Sequence, residues 1–100
     1  SVLRITIDIG VAYGSNIEVV RSLLIKIAED ENDVLETPEP RAYFINHGDS
    51  SLDFELRVFI SNPRKRFRVR DELNTAINAA LTEAGIEIPF PQRDVHFKPE

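Results

Sequence analysis

Leu52-Asp53-Phe54-Glu55-Leu56-Arg57-Val58-Phe59-Ile60 is the stretch on which the fold turns. Leu52, Phe54, Leu56, Val58 and Ile60 alternate with Asp53, Glu55, Arg57 and Phe59, the period of two that a strand with one buried face requires. Just upstream, Gly48-Asp49-Ser50-Ser51 makes a tight polar connection. Before it, Arg41 to His47 reads as a second strand, with Ala42 and Phe44 on one face and Tyr43 and Ile45 on the other. Two such runs joined by a short polar turn predict a β-hairpin, which Asn62-Pro63 ends.

Toward the N-terminus, Asn32 to Pro40 is turn chemistry, and an amphipathic helix precedes it over roughly Asn16 to Asp30. On a 100° wheel Ile17, Val20, Leu24, Ile27 and Ala28 share one face, while Val19 and Ile25 fall outside that stripe. Ser15, with Glu18 three residues later, has the spacing of a capping box. Ahead of it Leu3, Ile5, Ile7, Ile9 and Val11 alternate with Arg4, Thr6, Asp8 and Gly10, which predicts another strand.

Toward the C-terminus a second helix begins between Pro63 and Arg70 and is firm by Leu73. Val69, Leu73, Ala76, Ile77, Ala80 and Ala84 form its apolar side, and the alanines predict close packing onto a sheet. Gly85 supplies a helix-closing left-handed backbone, and Pro89 and Pro91 on either side of Phe90 forbid resumption. The remaining residues read as a stiff extended arm and a last short strand, Asp94 to Lys98. The order β-α-β-β-α, with that short C-terminal strand, predicts an α+β, ferredoxin-like split βαβ domain with both helices on one sheet face. The domain spans residues 1–88 and the arm with its strand residues 89–100. The terminal strand has two possible places, the edge of its own sheet or a site outside the domain.

Composition narrows the function. One hundred residues with 42% apolar content suit one globular domain. The absence of cysteine removes disulfides, thiol catalysis and thiolate metal sites. No run approaches the roughly 18 apolar residues that span a bilayer. The chain opens directly into a strand and ends on a charged residue, as an excised piece would. The net charge of −5 argues against a dedicated nucleic-acid binder. Arg64, Lys65, Arg66, Arg68 and Arg70 nevertheless form a basic cluster, and Glu29, Asp30, Glu31 and Asp33 an acidic one.

The candidate chemical sites resolve to ordinary structure. Gly10 to Ser15 joins a strand to a helix start, but it has neither the P-loop nor the dinucleotide spacing, so a turn and a cap suffice. His47, Asp49, Asp94 and His96 are adequate metal ligands that the sequence does not bring together. Asp53 and Glu55, about 7 Å apart along a strand, read as an exposed charged face rather than an acid–base pair. His47 with Asp49, Ser50 and Ser51 has no oxyanion hole or orienting partner. No catalytic, cofactor-binding or metal residue is assigned, and no enzyme activity is expected. RNA-recognition modules share the predicted topology and would use the basic stretch 64–70, but acidic residues stand on the third strand where their stacking aromatics belong. A stand-alone ligand- or RNA-binding module is therefore the alternative reading.

Three runs, Gly10 to Ser15 ("GVAYGS"), Gly48 to Val58 ("GDSSLDFELRV") and Glu83 to Val95 ("EAGIEIPFPQRDV"), resemble the cytoplasmic C-terminal part of small-conductance mechanosensitive (MscS) channels. The resemblance covers nearly the whole chain, in the same order. It implies an α/β domain of an inner-membrane protein with transmembrane helices upstream, assembled as a heptamer whose cytoplasmic parts form a cage. The terminal strand then joins its counterparts from sister subunits in a small barrel. Ions and osmolytes pass through the cage when hypo-osmotic stress opens the pore. No cofactor and no nucleic-acid partner is implied. Surplus apolar residues mark subunit contacts: Phe59 on the outer sheet face, Ile25 off the helix stripe, and Phe90, Val95 and Phe97 on the arm.

Overall fold

Three strands, β1 (Leu3–Val11), β2 (Arg41–His47) and β3 (Leu52–Ile60), form one antiparallel sheet in the order β1-β3-β2. The structure is a computed structural model and describes residues 2–90. The predicted strand Asp94 to Lys98, with Val95 and Phe97, lies outside them. The central place goes to β3, whose alternation is the cleanest. Leu3 stands opposite Ile60, and the register runs unbroken to Val11 opposite Leu52. Strands β1 and β2 are thus parallel to each other with β3 between them, the split βαβ arrangement.

Helix α1 (Ile17–Asp30) makes the crossover from β1 to β2, and α2 (Arg66–Glu83) comes after a 3-10 turn at Pro63–Lys65. Both helices cover the face to which Ile5, Ile7, Ile9, Leu52, Phe54, Leu56, Val58 and Ile60 point. Val20, Leu24 and Ala28 of α1 and Val69, Leu73, Ile77 and Leu81 of α2 close the core from above. No buried side-chain polar atom among the described residues lacks a partner.

The structure alters three expectations. The cap of α1 is Asn16, whose Oδ1 accepts from the Val19 amide at 3.0 Å, while the Ser15 hydroxyl donates back to the Ala12 carbonyl at 2.7 Å. Helix α2 buries a narrow i, i+4 stripe ending on Leu81; Ala76 and Ala84 are exposed and Ala80 only half-buried, so the close approach through alanines does not occur. Ile25 is partly buried against the core rather than free of it, as are Leu23 and Ile27.

The end of α2 is a Schellman motif. Gly85, at φ +71°, donates to the Thr82 carbonyl at 3.1 Å, and Ile86 donates to that of Leu81 at 2.9 Å. Ile86 packs on the core, and the Glu87 carbonyl accepts from the Ala12 amide at 2.8 Å. The arm thus stays on its own domain as far as Glu87, leaving Phe90 86% exposed.

Candidate functional site

The basic cluster is the first candidate, and the fold uses most of it internally. Asp33, in the connection after α1, accepts from Lys65 Nζ at 3.1 Å and pairs with Arg68 at 2.6 Å. Arg68 also reaches Glu72 at 3.4 Å, one helical turn on. Arg70 donates to the Thr6 carbonyl at 3.0 Å, satisfying an outward-facing group on the edge strand β1. The Lys65 hydrogen bond, with the charges of Lys65 and Arg68, holds the Asp33 carboxyl below the ordinary aspartate range. Burial, then a hydrogen bond and like charge from Glu72, pushes the Glu31 carboxyl above its own. Among the described residues, Arg64 and Arg66 alone of the cluster lack such partners; Arg66 lies 4.9 Å over the ring of Phe67, which is 70% exposed.

The sheet face away from the helices is the second candidate. The registers place Arg4 beside Phe59, Thr6 beside Arg57 and Arg41, Asp8 beside Glu55 and Tyr43, and Gly10 beside Asp53 and Asn46. Charge therefore divides along the strands, basic at one end and acidic at the other. Phe59 does face away from the helices, half-buried beside Arg4 and Arg57. Arg57 donates to Glu55 at 2.5 Å and lies 4.9 Å over Tyr43. Asp53 accepts from the Ser51 hydroxyl at 2.6 Å. The pairing of β2 slips between Phe44 and Asn46, a bulge that leaves Ile45 half exposed beside Asp8, Asp53 and Glu55. The alternation of the sequence pairs Ile45 with Tyr43 on one face without telling which face is outer, and it carries no signal for the bulge.

A third cluster joins two loops. The Tyr13 hydroxyl donates to the Gly48 carbonyl, and its ring lies 6.3 Å from His47, which meets Phe44 edge-on at 5.0 Å. Tyr13 and His47 thereby fasten the β1–α1 connection to the hairpin turn. No group of three or more metal-ligating side chains converges among the described residues. The described residues offer contact surfaces and ion pairs.

Among the described residues, a three-stranded antiparallel sheet with two helices on one face, presenting charged and apolar patches, defines an α/β module of split βαβ type. The family model described as mechanosensitive ion channel MscS, C-terminal, matches residues 5–88. The chain belongs to the MscS mechanosensitive ion channel family. It is 43% identical over 95 residues to an uncharacterized MscS family protein of Haemophilus influenzae, covering 95% of this chain and 9% of that protein. The mechanosensitive channel MscK of Escherichia coli is 42% identical over 97 residues, 97% of this chain and 9% of its own length. The crystal structure of Helicobacter pylori MscS in its closed state superposes with a TM-score of 0.86 at 32% identity, covering all of this chain and 40% of that one. The chain thus spans less than half of each of these relatives. None of its described helices is long and apolar enough to cross a membrane.

Proposed function

We propose that this domain is the cytoplasmic cage and assembly module of a mechanosensitive channel that releases ions and osmolytes under hypo-osmotic stress. In this reading the intact protein carries transmembrane helices ahead of the domain and assembles as a heptamer. The domain holds the subunits in register and lines the cage, and it catalyses nothing. The observation that carries the reading is the family match across residues 5–88, which takes in all but the first two residues of the β-α-β-β-α unit. The surfaces support it: Phe67, Phe90, Ile45 and Val19 are large apolar groups left in solvent on a domain that is otherwise well patterned. An RNA-binding role loses its footing, since Asp33, Glu72 and the Thr6 carbonyl engage Lys65, Arg68 and Arg70, and the open sheet face carries Asp8, Asp53 and Glu55. The test is patch-clamp recording of the intact protein in liposomes. A conductance that opens with applied tension is expected; a protein that inserts but stays silent up to membrane rupture contradicts the reading.

A further inference from the structure

We propose that the Arg64–Arg66–Phe67 tip of one copy docks into the acidic end of the open sheet face of the next, beside the Ile45 bulge, so that copies join head to tail. The inference rests on the assembly role above and adds to it the surfaces that meet.

The tip combines features that a free surface has no use for. Phe67 stands 70% exposed near the start of α2, with the Arg66 guanidinium over its ring. Arg64 and Arg66 are the two cations of the cluster without an ion pair among the described residues, their neighbours being held by Asp33, Glu72 and the Thr6 carbonyl. A ring flanked by unpaired guanidiniums is the form an interface anchor takes.

The receptor has the complementary character. Asp8 stands directly opposite Glu55 across β1 and β3, a like-charge pair that disfavours the isolated sheet. Arg57 answers Glu55, but among the described residues Asp8 has no ion pair and Asp53 has only the neutral Ser51 hydroxyl. These two carboxylates flank a shallow depression, and the bulge sets the half-exposed Ile45 at its rim. Two cations and a ring on one surface match two carboxylates and an aliphatic group on the other. Such matching fixes partner and register.

Position makes the contact intermolecular. Asp8 and Asp53 line the open face of the sheet, whereas the tip begins the helix that covers the opposite face, and no ion pair joins the two within the described residues of one copy. One copy cannot satisfy its own pair. A patch that meets a different patch on the next copy is heterologous, and its repetition builds a ring where the rotation between copies closes.

Cross-linking tests this directly: residues 1–100 hold no cysteine, and any cysteine elsewhere in the intact protein is first replaced by serine. Asn46→Cys and Pro63→Cys place thiols beside receptor and tip while leaving every proposed contact residue intact. In the protein as its cell expresses it, a short bis-maleimide should convert the double variant into a ladder beyond dimer. Each single variant should stay uncross-linked. Arg64→Glu with Arg66→Glu should cut the ladder about tenfold, and adding Asp8→Lys with Asp53→Lys should restore it; circular dichroism confirms that each variant folds. A covalent dimer as the only product would show a reciprocal two-fold contact and overturn the proposal. So would an assembled protein, by size, that yields no ladder. Reversal variants that still cross-link but lose binding to phosphatidylserine vesicles would make lipid the occupant and overturn it as well. A protein of monomer size would reject the assembly role itself, and this contact with it.

Discussion

Leu24 and Leu56 are fully buried, one from the helix layer and one from the centre of the sheet, while Glu55 lies on the other face of the same strand. Leu24→Ala and Leu56→Ala should each cost about 2–5 kcal/mol, and Glu55→Ala under about 1 kcal/mol. Denaturant melts decide it, and equal losses at Glu55 and Leu56 would mean the strand's faces are reversed. Two carboxylates at the end of α1 respond to pH with opposite signs. Glu31 is raised by burial and by Glu72, so its contribution is fully present below its unfolded pKa and is lost as pH rises through the folded one. Glu31→Gln should therefore be more stable than the parent at neutral pH, with the gap closing below about pH 4. Asp33 is lowered by Lys65 and Arg68, so its contribution is present above its unfolded pKa and is lost as pH falls through the folded one. Asp33→Asn should be the less stable protein at neutral pH and equal the parent in strong acid. Urea melts of both variants across that range test the signs; curves parallel to the parent's would refute them.

At the scale of elements, Gly85 closes α2 at φ +71°, and a Cβ added there meets no atom within 4 Å. Gly85→Ala should cost about 1–2 kcal/mol through backbone strain alone, visible in thermal melts; an unchanged midpoint would mean that the helix ends differently. This glycine was legible in the sequence because its role is local. So were all three strands, whose bounds coincide with the alternating runs Leu3–Val11, Arg41–His47 and Leu52–Ile60. The hidden features depend on distant partners. The sequence cannot say that Ile45 is the extra residue of a bulge, because the bulge is defined by where β3 pairs. Nor can a helical wheel choose Leu81 over Ala76 and Ala84, because the width of the buried stripe is set by how α2 lies on the sheet. At the start of α1, Ser15 and Asn16 were both chemically fit to cap, and the turn at Ala12 engages Ser15 first. Of the residues expected at subunit contacts, Phe59 is half-buried on the outer sheet face, Phe90 is exposed, Ile25 packs partly against the core, and Val95 and Phe97 lie outside the described residues.

At the scale of the whole molecule, a net charge of −5 conceals an uneven distribution, with Asp8, Asp53 and Glu55 on one end of the sheet face and Arg64 and Arg66 on the tip. Among the described residues, Phe67 and Phe90 are the most exposed of the large apolar groups, outside the core that the sheet and helices share. In the proposed reading, those groups give the module its part in assembly. The most direct measurement is the native mass of the intact protein extracted from membranes, with and without residues 1–100. The account predicts a single heptamer for the intact protein and a spread of smaller or undefined species once the domain is removed. Identical masses for the two would contradict the claim that this domain holds the subunits in register.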